Sequence, residues 1–167
     1  LFEQDARVLA EHQGKRFVLL HSGNWEVAFQ GDLLRQVLLN LLSNAIAASP
    51  SGGVVTLRSE FVRDWWRVSI EDDGPGVSAE QRERMFEPFV RLGRGKDAEP
   101  GTGLGLAISR TIIDLHRGRI YACEGPDGKG LKVTFELFAG STRRVDDVAV
   151  PGTPTSQPSF GKPATPS

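Results

Sequence analysis

Between Asp32 and Glu71 the apolar residues change period once, and this makes the middle of the chain a helix followed by two strands. Leu34, Val37, Leu38, Leu41, Leu42 and Ala45 recur at three- and four-residue steps and form one stripe of a helix. Asp32 stands where an N-cap is expected, and Ser49-Pro50-Ser51-Gly52-Gly53 ends the run. Residues 54–59 and 65–71 follow as strands rich in β-branched and aromatic side chains, the second closed by the glycine turn from Asp72 to Gly76.

Upstream, residues 1–13 read as a helix with Phe2, Ala6, Leu9 and Ala10 on one side and Gly14 as its stop. Residues 17–20 and 25–29 are short strands, and Ser22-Gly23-Asn24 between them predicts a hairpin. Downstream, a short helix is expected over 79–85, and residues 91–103, rich in glycine and charge, have no hydrophobic period and read as a mobile loop. Helical spacing resumes over 104–117 through Leu104, Ile108, Ile112 and Leu115. Residues 119–123 and 131–138 alternate like paired strands around an Asp127-Gly128 turn. From about Ala139 five prolines fall among Ser, Thr and Gly, a composition that predicts a disordered tail over 139–167.

The 167 residues suit one ordinary core. A net charge of −1 gives no electrostatic reason to expect a nucleic acid or a membrane surface as partner. Cys123 is the only cysteine, which excludes an intramolecular disulfide and a cysteine-rich zinc site and fits a reducing, cytoplasmic setting. No apolar run approaches the ~20 residues of a membrane span, and the N-terminus does not read as a secretory signal. Because it also lacks an initiator Met, the chain reads as a fragment whose parent could still cross the inner membrane.

Three elements can carry chemistry. Asn40 and Asn44 are i and i+4 on the helix from Asp32, so their carboxamides share a face at the border of the apolar stripe. There they can offer oxygens to a hard cation such as Mg²⁺ or hydrogen bonds to phosphates, although two polar helix residues also serve as ordinary local partners. Asp72-Asp73-Gly74-Pro75-Gly76 ends an apolar strand; its glycines let a flat ligand approach the backbone, and a carboxylate there can accept from an exocyclic amine such as adenine N6. A plain polar turn has the same composition. Gly101-Thr102-Gly103-Leu104-Gly105-Leu106 opens the last helix, where freed amides and the helix dipole favour phosphate. The run lacks the Lys-Ser/Thr ending of a P-loop and does not sit between parallel strands, which argues against a dinucleotide fold.

Taken in order, Asn40-Leu41-Leu42-Ser43-Asn44-Ala45, then Asp72 to Gly76, then Phe86-Glu87-Pro88-Phe89, then Gly101 to Leu106, the sequence resembles the histidine-kinase branch of the GHKL ATPase superfamily over residues 15–138. The resemblance implies an α/β fold, a two-layer sandwich with a mixed sheet under three main helices. It implies an ATP-binding catalytic domain over 15–138, preceded by a helix (1–14) leading from a dimerisation region and followed by the tail. By it Asn40 and Asn44 are Mg²⁺ and phosphate ligands, Asp72 the adenine acceptor, and Gly74 and Gly76 the nucleotide-facing turn. Residues 91–102 become an ATP lid anchored by Phe86 and Phe89. Arg91 reaches the terminal phosphate, and Gly101, Thr102, Gly103, Leu104 and Gly105 line the phosphates.

The implied reaction moves the γ-phosphoryl of ATP to a histidine on a dimerisation domain of a homodimeric parent, and from there to the receiver domain of a response regulator. No acceptor is expected here, because His12, His21 and His116 are not followed by an acidic residue. The sequence departs from the family at Ala47 and Ala48, where relatives often carry Lys and an aromatic, and at Lys132, where many carry a hydroxyl. Weaker ATP binding is the expectation from these departures. A regulatory pseudokinase and a serine kinase of the same ATP fold are the rival readings.

Overall fold

The computed structural model describes residues 2–22, 25–26, 29–91, 102–139 and 143–144. Its helices are α1 (Phe2–His12), α2 (Gly31–Ala48), α3 (Ala79–Arg84) and α4 (Gly105–Leu115). Its strands are β1 (Arg16–His21), β2 (Trp25–Glu26), β3 (Val54–Val62), β4 (Trp65–Glu71), β5 (Arg119–Glu124), β6 (Leu131–Phe138) and β7 (Arg143–Arg144). Five strands form one sheet in the order β1-β3-β4-β6-β5; β1 and β3 run parallel and the other neighbours antiparallel. This is the mixed sheet and two-layer α/β arrangement expected.

Alternation along the strands divides the sheet into two faces. Val55 and Leu57 of β3, Val68 and Ile70 of β4, and Val133, Phe135 and Leu137 of β6 are buried in the core. Over them lie Leu34, Val37, Leu41, Leu42, Ala45 and Ile46 of α2 and Ile112 and Ile113 of α4. Ala6 and Ala10 of α1 are fully buried in the same core, so residues 2–12 pack as part of the described unit. The two adjacent tryptophans separate across the sheet as strand geometry requires: Trp66 stacks on Phe29 and donates from Nε1 to Ser59 at 2.9 Å, while Trp65 meets Phe138 edge-on.

The face without helices is held by charge. Glu136, 1% exposed, accepts from Arg67 at 2.6 Å and from Arg119, and Tyr121 donates to it at 3.3 Å. Burial alone would raise the Glu136 pKa, but the two guanidinium hydrogen bonds outweigh it and hold the carboxyl below its ordinary value. Cys123 pairs in register with Lys132, which in turn is opposite Glu71, so the thiol lies half-buried on this charged face and does not fill the core.

Several local expectations change. The β1–β2 hairpin does not form: β1 pairs in parallel with β3, and β2 pairs with β7. Residues 23–24 of the expected turn lie outside the described residues. Asp32 is in the first turn of α2, whose N-cap is Gln30 without a side-chain bond. On α4, Ile108 and Leu115 are exposed and the core face passes through Ser109, Ile112 and Ile113. The helix is one turn shorter than the apolar spacing suggested, and a stripe drawn through its ends is displaced around the axis. Residues 143–144 of the tail form β7; most of the remaining tail, like residues 92–101 of the expected lid, lies outside the described residues.

Candidate functional site

A cleft of about 740 Å³, including open solvent at its mouth, lies between α2, the ends of β4 and β6, the turn after β4, and the start of α4. Its walls are apolar: Leu41 and Ala45 from α2, Ile70 and Val133 from the sheet, Met85 after α3, and Leu106 from α4. Asn44, Asp72 and Gly76 bring the predicted polar groups and the glycine turn to the same lining. An apolar slot with few placed polar groups suits a flat heterocycle whose orientation one or two hydrogen bonds decide.

Asp72 is 6% exposed, and its Oδ1 accepts from the amides of Gly74 at 2.8 Å and Leu131 at 3.3 Å. Desolvation raises its pKa; the Gly74 and Leu131 amides oppose the rise but do not cancel it. Its neighbour has another task, because Asp73 Oδ2 accepts from the Val54 amide at 2.8 Å and caps the start of β3. Of the two adjacent carboxylates only Asp72 belongs to the cleft.

The glycines of this turn serve packing. A Cβ on Gly74 would lie 2.7 Å from the Ala48 carbonyl oxygen, so Gly74 faces the C-terminus of α2 more closely than any side chain permits. Gly76 has φ +69° and lines the cleft, and its Cβ would meet the Gly130 carbonyl oxygen at 2.9 Å. Gly130 was not singled out from the sequence, yet a Cβ there would lie 1.7 Å from the Asp72 carbonyl oxygen. The Gly-Lys-Gly run before β6 was its only signal.

On α2, Asn44 is exposed at the cleft wall, whereas Asn40 is half-buried between helices and its Nδ2 donates to the Gly105 carbonyl at 3.1 Å. The carboxamides therefore differ in surroundings despite their common face. At the start of α4 the Leu104 amide donates to Thr102 Oγ1 at 3.4 Å, and the first helical bond is from Ile108 to Leu104. The amides of Gly105, Leu106 and Ala107 precede that bond, leaving a ring of donors backed by the helix dipole. Gly103 has φ +69° and its carbonyl accepts from the Phe89 amide at 3.0 Å. Gly101 lies outside the described residues.

The aromatic pair before the loop splits. Phe86 is buried, with the Arg110 guanidinium 5.2 Å over its ring, whereas Phe89 is 74% exposed with φ +65°. Only Phe86 packs as an anchor; Phe89 contributes through its backbone, because its left-handed conformation turns the ring out to solvent. Arg91 is exposed at the edge of the described residues.

The departures are also placed. Ala48 lines the cleft and Ala47 is exposed on the last turn of α2. Lys132 points to the other face of the sheet, where its Nζ meets Glu71 at 2.8 Å. The cleft position is held by the adjacent Leu131, so the expected loss of an adenine contact at Lys132 is corrected by the strand's alternation.

The family described as histidine kinase-, DNA gyrase B-, and HSP90-like ATPase matches residues 30–141, which include both asparagines, the Asp72 turn and the start of α4. The chain belongs to this family. Among its relatives, the adaptive-response sensory kinase SasA of Synechococcus sp. (strain CC9311) is 41% identical over 105 residues, 62% of this chain and 27% of that protein. The sensor protein PfeS of Pseudomonas aeruginosa is 46% identical over 97 residues, 58% of this chain and 21% of that protein. The chain thus spans about a quarter of the length of these relatives. Full-length ShkA in complex with AMPPNP superimposes with a TM-score of 0.72 and 30% identity, covering 85% of this chain and 30% of that one. Histidine kinase ThkA in complex with the response regulator protein TrrA gives 0.67 and 28%, covering 83% and 39%. Asn44, Asp72 and Leu106 of the cleft described above lie within the matched region.

Proposed function

We propose that the chain is the ATP-binding catalytic domain of a two-component sensor histidine kinase. The observation that carries this reading is the convergence of a buried carboxylate, Asp72, an exposed carboxamide, Asn44, and the first turn of α4 on one apolar cleft. Adenine enters the apolar slot and its exocyclic amine donates to Asp72; guanine presents a carbonyl there and meets acceptor against acceptor. Ribose and phosphates extend past Asn44 and Asn40 to the amides of Gly105 to Ala107. Thr102, Gly103 and Leu104 continue that path; Gly101 is assigned to the phosphates by its place in the sequence motif alone, and Arg91 adds a cation for the terminal phosphate.

Among the described residues no cluster of three His, Cys, Asp or Glu could hold a metal by itself. The donors present, two carboxamide oxygens beside a phosphate path, fit Mg²⁺, which keeps water and phosphate oxygens among its ligands and takes few from protein. Asn40 and Asn44 would hold it, and it would neutralise phosphate charge. The rest is positioning: the chain fixes the nucleotide, excludes water from the adenine, and presents the γ-phosphoryl group.

The acceptor is a histidine on the dimerisation domain of a homodimeric parent, and the receiver domain of a response regulator takes the phosphoryl group next. Sensory-kinase relatives and the nucleotide-bound and regulator-bound structural neighbours support this reading. No helix among the described residues is long and apolar enough to cross a membrane, and we assign the chain to the cytoplasmic part of its parent. We take residues 15–138 as the ATP-binding domain, 1–14 as the lead from the dimerisation region, whose helix packs Ala6 and Ala10 into the domain's core, and 139–167 as the tail.

The test is a mixing experiment. The chain should bind Mg-ATP without labelling itself from γ-labelled ATP, and should phosphorylate a separate dimerisation domain of its parent with an acid-labile, alkali-stable product. Phosphoserine on the partner would move the assignment to the serine kinase, and tight ATP binding with no transfer to the regulatory pseudokinase.

A further inference from the structure

Asn40 and Asn44 have the same side chain one turn apart, but α4 restrains only the first. Asn40 Nδ2 donates to the Gly105 carbonyl at 3.1 Å and to the Ser109 hydroxyl at 3.4 Å, and that hydroxyl donates to the same carbonyl at 2.9 Å. A carboxamide nitrogen has two hydrogens, and here each has an acceptor on α4. Ser109 is fully buried, so water does not compete for these bonds. Asn44 is exposed, and its carboxamide has no such bond to α4.

A carboxamide turned by 180° about its last bond exchanges oxygen for nitrogen with almost no change of shape, and only its partners select between the two orientations. Turned over, Asn40 would set its oxygen against the Gly105 carbonyl oxygen. Ser109 could favour that orientation only by donating to the Asn40 oxygen, which would take its single hydrogen from Gly105. With the hydrogen already given to Gly105, Ser109 acts toward Asn40 as an acceptor, and both contacts select the same orientation.

We propose that Ser109 is a positioning residue that fixes the Asn40 carboxamide with its nitrogen on α4 and its oxygen left as the group offered to a ligand. This deepens the ATP-binding reading and rests on it for the identity of that ligand, a Mg²⁺-bound triphosphate. It also makes the Asn40 oxygen and the amides of the first turn of α4 one rigid unit, because the Gly105 carbonyl accepts from both residues. An ordinary buried serine that satisfies itself on the carbonyl four residues back would have no such effect on the asparagine.

The experiment uses the full chain and two independent readouts. In the nucleotide-free protein the side-chain NH₂ of Asn40, assigned by its disappearance in Asn40→Asp, should exchange slowly with solvent. In Ser109→Ala it should exchange faster, and in Ser109→Thr, which keeps the hydroxyl, slowly again. In ATP titrations at graded Mg²⁺, Ser109→Ala should need roughly 3- to 10-fold more Mg²⁺ for half-maximal binding, the loss of one buried hydrogen bond, with metal-free ATP binding little changed. Thermal melts identify any variant that does not fold; if the extra methyl of Thr is not accommodated, the Ala comparison decides alone. Unchanged Asn40 NH₂ exchange in Ser109→Ala overturns the proposal, as does an equal loss of metal-free and Mg²⁺-supported binding. If the wild-type chain binds no Mg-ATP, the ATP reading fails, and the NH₂ exchange still decides the role of Ser109.

Discussion

The amide of Phe89 donates to the carbonyl of Gly103 at 3.0 Å, and both residues have left-handed backbone, with φ +65° and +69°. Fourteen positions apart in sequence, they bring together the two ends of the segment implied as a lid, whatever its interior does. A Cβ on Gly103 would lie 3.0 Å from the Phe89 carbonyl carbon and 3.1 Å from the Val90 oxygen.

Gly103→Ala should therefore suffer twice, from the positive φ, worth about 1 kcal/mol, and from the contact with Phe89. Gly52→Ala is the control, since Gly52 has φ +75° but nothing within 4 Å of its would-be Cβ. We expect Gly52→Ala to lower thermal stability without changing ATP affinity, and Gly103→Ala to weaken ATP binding as well. Equal ATP affinities for the two variants would show that closing the base of this segment is irrelevant to the nucleotide.

Asp72→Asn should stabilise the nucleotide-free protein while impairing the site. Burial raises the carboxyl pKa in the folded state, so the folded chain holds its proton more tightly than the unfolded chain. Wild-type stability accordingly falls as pH rises from the unfolded value near 3.8 to the raised native value, and is level above it. The Asn variant keeps an oxygen for the Gly74 and Leu131 amides and lacks this fall. Urea unfolding across that range should show its advantage growing with pH, whereas ATP affinity at neutral pH should drop by about 2 kcal/mol through the lost charge-assisted acceptor. A pH-independent stability difference would contradict the burial account, and unchanged ATP affinity would remove Asp72 from the adenine role.

Much of this site was legible because its signals are local. The i, i+4 asparagines, the Asp-Gly turn and the glycine-opened helix are each readable within six residues, and their order carried the family. What was not legible depends on chain segments distant in sequence. The parallel pairing of β1 with β3 joins residues 38 positions apart at Arg16 and Val54, and a local Ser-Gly-Asn cluster suggested a hairpin in its place. The apolar spacing of α4 gives no sign of Ser109, which the helix phase places on the buried face with Ile112 and Ile113. Gly74 was read as making room for a ligand, and its backbone instead makes room for the end of α2.

Glu136 should matter for stability and not for nucleotide. Its hydrogen bonds to Arg67 and Arg119 are on the helix-free face, across the sheet from the cleft. Glu136→Ala leaves Arg67 without its main partner in a half-buried position, a loss of about 1–2 kcal/mol after allowing for the solvent that reaches both arginines. Because the carboxyl pKa is depressed in the folded state, this contribution is present above the ordinary glutamate range and disappears as pH falls through the native value. Denaturant unfolding at neutral and acid pH would show the gap between wild type and variant closing on acidification. Calorimetric titration should give the same ATP affinity for both.

The neighbours Leu131 and Lys132 offer the sharpest separation between the two faces of the sheet. Lys132 stands where the family resemblance implies a hydroxyl, yet its ammonium group is 2.8 Å from Glu71 on the face away from the cleft, and Leu131 lines the cleft. Lys132→Thr restores the family-like hydroxyl on the wrong side of the strand for adenine. We expect it to lower stability by up to about 1 kcal/mol through the lost ion pair, and to leave ATP affinity within roughly twofold. Leu131→Ala keeps the backbone amide that Asp72 accepts from but removes apolar wall from the adenine slot, and should weaken ATP binding by about 1–2 kcal/mol. Paired calorimetric titrations and melts decide the matter: a large gain in ATP affinity from Lys132→Thr, with no loss from Leu131→Ala, would place the adenine on other residues than those of this cleft.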